Sequence, residues 1–424
     1  MKKLFTTIAF VLMLAMVTTA CSKSTEADKT PEAGKEVAGS EADKVEGEAA
    51  KDDANASGEN PIKVGNLQDL SGGASEAGRA NAWGVEYAVR QINENGGING
   101  RMIEVVTLDI KNDVQEGINA YRLLNDEHKV DAIIGPPLSN PALAWVDLST
   151  EDKVPVVGHF MDERCTTNEE TGEPYPFMFL AEPGCAQQSY SIAKYGVEDL
   201  NLKTFATFYN AGLSYAVQHA LPFAEYVKSK GGEVVAEETF QTGDVDYRAQ
   251  AIKITEANPD AVFICNYAAD NALCYDYLRE AGYEGVILGN NTFQSPFSSL
   301  VKSEVYDTYF LQNVDMENPE SDSYDIVKAY MDETGAQYPI ANACFGYDAV
   351  MVLADALKRA KDPSDGEEVA ALLEQTKEVQ SSSGPITINP ETHRTVGMPM
   401  LIAKYDENFK LIIIDSIVLE EGLE

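Results

Sequence analysis

Residues 62–110 read IKVGNLQDLSGGASEAGRANAWGVEYAVRQINENGGINGRMIEVVTLDI, and this stretch decides the fold. A short apolar run ends at the turn Ser71-Gly72-Gly73, a helical pattern follows, and residues 103–108 form a second apolar run. One face of the helical pattern carries Ala82, Val85, Ala88, Val89 and Ile92. The order strand, glycine-rich turn, helix, strand predicts a βαβ unit. In open α/β folds, ligands bind at the carboxyl edge of the sheet, beside the first loop of such a unit.

The same alternation continues along the chain. Further strands are predicted at 131–135, 154–157, 204–208, 233–235, 261–264 and 286–288. Helices are predicted at 114–127, 141–150, 187–195, 214–230, 247–257, 271–282, 345–358 and 367–374. The tail is rich in strand formers at 385–388 and 400–414. Strands separated by helices predict parallel sheets covered on both faces, so the fold class is α/β with two doubly wound lobes and a strand-rich closure.

The first 60 residues have a different composition from the rest. Residues 1–20 combine Lys2 and Lys3, a short apolar run and small residues, which predicts a signal peptide. Cys21, directly after three small residues, resembles the cysteine of the lipobox of bacterial lipoproteins, and this resemblance implies that it is lipidated. A conventional signal peptide with an incidental cysteine is the alternative. Residues 21–60 contain the lipidation site and a segment with too few apolar side chains to offset the entropy of ordering, so we expect a disordered tether to the outer face of the cytoplasmic membrane.

Charge and motif content exclude several function classes. The formal net charge of -37 argues against a nucleic-acid partner, because phosphates need a basic surface. No GxSxG or HExxH motif occurs, and the four histidines have no motif partners, so we expect neither catalysis nor a cofactor. The loop with His159, Asp162, Glu163 and Cys165 could be interpreted as a metal site, but its spacing does not require one, and no metal is predicted.

Five cysteines remain after Cys21 is assigned to lipid, so at least one is unpaired unless chains pair. Export permits disulfides, and Cys165–Cys185 is the favoured bridge.

An ordered series of motifs resembles the type I solute-binding proteins of ABC importers, the leucine/isoleucine/valine-binding type. The series runs along nearly all of residues 62–400: Gly65-Asn66-Leu67-Gln68-Asp69-Leu70-Ser71-Gly72 with Gly78, Ile92-Asn93, Gly96-Gly97-Ile98-Asn99-Gly100-Arg101, Ile134-Gly135, Val154-Pro155-Val156-Val157, Tyr267, Ala281-Gly282, Gly346-Tyr347-Asp348-Ala349 and Ser383-Gly384-Pro385-Ile386.

This resemblance implies two lobes that are joined by three hinge strands and close around a ligand. The first lobe would contain residues 61–180 and 314–375, and the second residues 181–313 and 376–424. Closure of the hinge would bury a small molecule and present the closed shape to a membrane permease. The implied protein is a monomeric importer subunit for an amino acid of the branched-chain type.

The resemblance also places ligand contacts in the first lobe. Ser139 and Asn140 match the loop that holds a ligand carboxylate, although Ser139 could instead be a helix N-cap. Phe160 and Asp162 match the second contact loop. Asp162 departs from the family pattern, because its charge would repel a carboxylate and attract an ammonium group.

The second lobe is implied to contribute Ser214, Tyr215, Tyr267 and Asn291. Asn291 stands where amino-acid binders carry the glutamate that pairs with the α-ammonium, and an amide cannot supply that charge. The solute is therefore either an amino acid whose ammonium is paired elsewhere, by Asp162 or Asp270, or an amide-like, urea-like or other small polar molecule. A ligand sensor for a signalling system would share the same fold and site.

Overall fold

The structure is a computed structural model that describes residues 60–419. The predicted signal peptide, Cys21 and the tether lie outside the described residues, apart from Asn60. In chain order the strands are β1 (Ile62–Gln68), β2 (Ile103–Asp109), β3 (Ala132–Ile134), β4 (Val156–Gly158), β5 (Met178–Leu180), β6 (Thr204–Asn210), β7 (Glu233–Phe240), β8 (Ala261–Ile264), β9 (Val286–Gly289), β10 (Thr308–Gln312), β11 (Val379–Ser381), β12 (Gly384–Asn389), β13 (Arg394–Val396), β14 (Met400–Tyr405) and β15 (Leu411–Ile417).

The helices surround these strands. In chain order they are α1 (Ser75–Glu94), α2 (Val114–Leu123), α3 (Ser139–Leu143), α4 (Val146–Asp152), α5 (Cys185–Lys194), α6 (Ser214–Ser229), α7 (Arg248–Ala257), α8 (Ala268–Glu280), α9 (Phe297–Leu300), α10 (Asp322–Thr334), α11 (Asn342–Arg359) and α12 (Gly366–Leu373). Single π-helical turns extend α2 and α5, and short 3₁₀ turns occur at Glu163–Cys165 and Asn291–Phe293. No helix of the described chain is long and apolar enough to cross a membrane.

The predicted βαβ unit is confirmed. β1 and β2 pair in parallel with Ile62 opposite Ile103, and α1 buries Val85, Ala88 and Val89. α1 also packs closely on α11. A Cβ added to Gly84 would lie 2.0 Å from the carbonyl oxygen of Ala343, so a side chain at this position would force the two helices apart.

Each of the two sheets is parallel in its interior and antiparallel at one edge. The eight-stranded sheet has the order β11-β12-β13-β5-β4-β3-β1-β2, and the seven-stranded sheet has the order β15-β14-β10-β9-β8-β6-β7. We call the bodies built on them the first and the second lobe. The antiparallel pairs β11–β12, β12–β13, β10–β14 and β14–β15 make both sheets mixed.

The chain crosses between the lobes three times. The crossings are residues 181–184, between β5 and α5, residues 313–321, between β10 and α10, and residues 397–399, between β13 and β14. Two lobes with three crossings agree with the predicted architecture.

The tail does not belong to the second lobe alone. Residues 376–424 were predicted there, but β11, β12 and β13 complete the sheet of the first lobe, with Arg394 opposite Leu180. Ile386 and Ile388 are buried in the core of that lobe. Only β14 and β15 join the second sheet, because the third crossing lies between β13 and β14.

Two helix predictions were incomplete. The helix expected at 141–150 is two short helices, α3 and α4, and neither α9 nor α10 was predicted.

The predicted Cys165–Cys185 disulfide is wrong for this structure, because both residues are free thiols. Cys165 lies in the core of the first lobe, and its Sγ donates to the carbonyl oxygen of Ser139 at 3.8 Å. Cys185 lies in a different cluster, and its Sγ donates to the carbonyl oxygen of Tyr215 at 3.8 Å. Burial raises the pKa of both thiols well above the usual range, so they remain protonated.

Candidate ligand site between the two lobes

A cavity of about 300 Å³ is lined by residues of both lobes. The first lobe contributes the loop after β1 and the start of α1, the loops after β3 and β4, and the start of α11. The second lobe contributes Tyr215, the start of α8 and the loop after β9. Most of these segments follow the carboxyl ends of parallel strands, where the sequence predicted the site. The lining residues are Gly73, Ala74, Glu76, Ala77, Pro137, Leu138, His159, Met161, Tyr215, Tyr267, Ala268, Ala269, Asn291, Thr292, Gln294, Ser295, Pro296, Leu300, Ile340, Asn342 and Phe345.

The loop after β1 is held in place by Asp69. Its buried carboxylate accepts hydrogen bonds from the backbone nitrogens of Gly72, at 2.6 Å, and Ala74, at 2.7 Å. Gly78 packs directly on this loop, because a Cβ there would lie 1.9 Å from the carbonyl oxygen of Asp69. The glycine-rich turn therefore presents backbone and small side chains to the cavity.

Three of the residues assigned by resemblance lie together in the cavity wall. The Tyr215 and Tyr267 rings are 5.4 Å apart, and the Tyr215 hydroxyl donates to Oδ1 of Asn291 at 2.6 Å. The Asn290 amide donates to the same hydroxyl at 3.0 Å. Fixed hydrogen bonds thus set the orientation of this wall.

The wall connects to two of the crossings between the lobes. The amide of Asn291 donates to Oδ1 of Asn313 at 3.3 Å, and the amide of Asn313 donates to Oε2 of Glu182 at 2.9 Å. Burial and the charge of Asp348 raise the pKa of Glu182 well above its usual range. A polar chain therefore runs from the cavity wall to two of the crossings between the lobes.

Phe160 is buried in the core of the first lobe and does not line the cavity. Its neighbours His159 and Met161 do. The loop indicated by the family match does border the cavity, but the direction of each side chain depends on how the chain leaves β4. Residues alternate sides there, so adjacent positions in the sequence point to opposite environments.

Asp162 and Ser214 meet across the cleft but do not line the cavity. The fully buried Asp162 carboxylate pairs with Arg164, with Nη2 and Oδ2 2.7 Å apart, and accepts a hydrogen bond from the Ser214 hydroxyl. The guanidinium of Arg164 donates to the Ser214 hydroxyl, and the backbone nitrogen of Ser214 donates to Oδ1 of Asn140 at 3.3 Å. We call these four residues the interlobe clasp.

Ser139 lies just behind the clasp. Its side chain is buried, and its hydroxyl accepts a hydrogen bond from the backbone nitrogen of Asp162 at 3.3 Å. Ser139 is the first residue of α3 and supports the loop after β4; it does not line the cavity.

His159 is a cavity residue that the resemblance did not point to. Nδ1 lies 3.3 Å from the amide nitrogen of Asn81, and the ring stacks on Phe345 with centroids 5.6 Å apart. Burial lowers the pKa of His159 to about 3, so the imidazole is neutral near pH 7. The signal in the sequence was a polar residue directly after a buried parallel strand.

The cavity wall carries little charge. Glu76 is the one carboxylate among the lining residues, none of which is a lysine or an arginine. The Tyr338 hydroxyl donates to Glu76. Within residues 60–419, no group of three His, Cys, Asp or Glu side chains is arranged to hold a metal ion.

A second cleft, of about 570 Å³, lies beside the clasp and is lined by charged and polar groups that include Glu163, Arg164, Glu225 and Arg394. Its lining side chains are mostly charged or polar and its charges are of both signs, so it is less suited than the first cavity to enclose a small organic molecule.

The fold and the cavity define an α/β binding protein of the two-lobed type. Residues 61–410 match the family model described as periplasmic binding protein, and the chain belongs to this family.

The chain is also similar to individual named proteins and to solved structures. The chain is 26% identical over 335 residues to Leu/Ile/Val-binding protein homolog 7 of Brucella suis biovar 1 (strain 1330), which covers 76% of this chain and 82% of the relative. The crystal structure of a leucine-binding protein LivK from Thermotoga maritima MSB8 matches with a TM-score of 0.73 and 27% identity, over 84% of this chain and 99% of that one. The substrate-binding protein LivJ from Streptococcus pneumoniae, in complex with isoleucine, matches with a TM-score of 0.72 and 27% identity, over 85% and 99%.

Proposed function

We propose that this protein is the extracytoplasmic solute-binding subunit of an ABC importer, which captures a small solute by hinge closure and delivers it to a membrane permease. The observation that carries the proposal is the cavity of about 300 Å³ lined by both lobes. Its size suits a small molecule, and a ligand there is buried only while the lobes are together.

The polar chain from Asn291 through Asn313 to Glu182 supports the hinge part of the proposal. A ligand that contacts Asn291 changes the hydrogen bonding of a residue in one crossing and, through it, a residue in another. Binding and lobe position then share one network, as closure requires.

The ligand contacts that we propose are Tyr215, Tyr267 and Asn291, together with His159 and Met161. Tyrosine provides a broad apolar face and one hydroxyl, which suits a site completed by closure. Ser139, Asn140, Asp162 and Ser214 are assigned to closure and support of the loops, since they meet in or behind the clasp.

We further propose that the mature protein is a monomer held at the membrane by a lipid on Cys21. Mass spectrometry of the mature N-terminus tests the anchor: a diacylglyceryl-modified Cys21 is expected, and an unmodified N-terminus at another residue would contradict it.

A thermal-shift screen tests the binding role. Amino acids, amides, urea and small peptides are tested in turn, and a true ligand raises the melting temperature progressively with its concentration. A hundredfold excess over Kd stabilises the folded protein by about 2.7 kcal/mol. Small-angle scattering of the same samples should show a smaller radius of gyration with ligand. Solute recovered unchanged by mass spectrometry is expected of a binder, and turnover would argue for an enzyme instead.

A further inference from the structure

Two buried polar atoms in the cavity wall have no hydrogen-bond partner among residues 60–419. They are Nε2 of His159 in the first lobe and Oε1 of Gln294 in the second. The two residues are only 2% and 6% exposed. Buried polar groups are nearly always paired in folded proteins, so an unpaired one on each side of a ligand cavity indicates groups that the ligand completes.

The proton of His159 is placed by a buried chain of amides behind the cavity. The amide nitrogen of Gln68 donates to Oδ1 of Asn66 at 2.8 Å and to Oδ1 of Asn81 at 3.0 Å. The carbonyl of Asn81 therefore faces Gln68, and its amide nitrogen faces Nδ1 of His159 at 3.3 Å. Nδ1 accepts this hydrogen bond, which leaves the ring proton of the neutral imidazole on Nε2.

The charges around the cavity disfavour an ionised ligand. A carboxylate would meet Glu76 and no lysine or arginine among the lining residues, in a chain with a formal net charge of -37. Arg164, the cation of the interlobe clasp, is already paired with Asp162. Glu76 itself accepts a hydrogen bond from the Tyr338 hydroxyl and is only partly buried, which makes it a weak partner for a desolvated ammonium.

We propose that the ligand is an uncharged carboxamide with an apolar body, whose carbonyl oxygen accepts a hydrogen bond from Nε2 of His159 and whose N–H donates to Oε1 of Gln294. The inference rests on the proposed binding function. The apolar body packs against Tyr215, Tyr267 and Phe345, which line the same cavity. Asn81 and Gln68 are positioning residues, because they act on the ligand only through the His159 ring.

Ligand charge is tested with two matched series of probes. The first comprises 3-phenylpropanamide, 3-phenylpropanoate and 3-phenylpropylamine, and the second comprises 4-methylpentanamide, 4-methylpentanoate and 4-methylpentylamine. In isothermal titration calorimetry at neutral pH, at least one amide should bind about tenfold or more tightly than its carboxylate and amine counterparts. Tighter binding of a carboxylate, an amine or a free amino acid would overturn the proposal, as would silence of all six probes.

Two variants test the hydrogen bonds. His159→Phe keeps a ring to stack on Phe345 but removes the donor, so amide affinity should fall about tenfold or more while carboxylate and amine affinities change little. Asn81→Asp places an acceptor against Nδ1, and ¹⁵N NMR of the imidazole should show the proton moved from Nε2 to Nδ1, with amide affinity reduced in parallel. Wild-type amide affinity in His159→Phe would overturn the proposal even if Asn81→Asp does not fold.

The wider solute screen separates this inference from the binding role. If an ionised solute raises the melting temperature and no amide does, the ligand class is wrong but the protein still binds a solute. If no solute of the screen does so, the binding role itself fails, and the ligand class fails with it.

Discussion

The interlobe clasp should control how readily the lobes close. Ser214 is the point at which the second lobe enters the clasp, since its hydroxyl meets both the Asp162 carboxylate and the Arg164 guanidinium. The pair Asp162–Arg164 lies entirely within the first lobe and survives opening. Ser214→Ala therefore removes hydrogen bonds that exist only in the closed state.

The size of the effect follows from these contacts. A hydrogen bond to a charged group contributes about 1.5–3 kcal/mol, and the bond to the buried Asp162 dominates because Arg164 is partly exposed. We therefore expect Ser214→Ala to shift the closure equilibrium toward the open form by about 1.5–3 kcal/mol in total. An apparent ligand affinity that depends on closure should fall roughly 10- to 150-fold. The loss occurs although Ser214 does not line the cavity.

Calorimetry with the best solute of the screen measures the affinity, and small-angle scattering measures the fraction of closed molecules. Ser229→Ala is the matched control, because Ser229 ends the same helix, and its hydroxyl donates only locally, to the carbonyl oxygen of Tyr226. Wild-type affinity and scattering in Ser214→Ala would refute the role of the clasp. An altered choice of ligand in Asp162→Asn, with unchanged closure, would instead make Asp162 a ligand contact.

Three further predictions concern the site wall, a buried acid and the helix contact of the first lobe. Tyr267→Ala should weaken solute binding by about 1–3 kcal/mol without unfolding the chain, whereas Tyr324→Ala, outside the cavity, should bind normally; calorimetry decides. Burial raises the pKa of Glu163 to about 7, so its stabilising contribution is present at low pH and is lost as the pH rises from its unfolded value toward 7. In urea unfolding, the free energy of unfolding of the wild type relative to Glu163→Gln should rise by up to about 3 kcal/mol as the pH falls from about 7.5 to about 5. A difference that does not change with pH would contradict the burial of this carboxyl. Gly346→Ala should destabilise the protein by about 3 kcal/mol or more, because a Cβ there would lie 2.1 Å from the carbonyl oxygen of Asn81. Gly73→Ala is the control, since its Cβ would have no heavy atom nearer than 3.6 Å. Equal urea-unfolding midpoints of the two variants would contradict the close packing of α1 on α11.

The sequence predicted the two lobes because their strands and helices are encoded locally. Most buried strands are short apolar runs and most helices have an apolar face, so most of the alternation can be recognised without any long-range information. The partition of the tail depends instead on which sheet edge is free. β13 pairs with β5, whereas β14 pairs with β10, and nothing in the short sequence of either strand states which sheet it joins.

Part of the cavity wall could be predicted from the sequence for a related reason. Tyr215, Tyr267 and Asn291 follow from matching loops to a family, since loop position is set by the fold. His159, in contrast, became a cavity residue through the direction of its side chain after β4, and Asp162 was removed from the cavity by Arg164, two residues further along. Contacts of this kind depend on exact loop geometry, which local sequence patterns do not encode.

The threading of the first lobe has a consequence for how the protein is made. α1 is among the earliest segments to leave the ribosome, yet the helix that covers it, α11, and the strands that finish its sheet, β11 to β13, are synthesised much later. Until then the side of α1 that packs on α11 has no partner from its own lobe, although β1 and β2 already contact the helix. The first lobe can therefore be completed only late in synthesis, and until then α1 depends on chaperones or on the export machinery for protection.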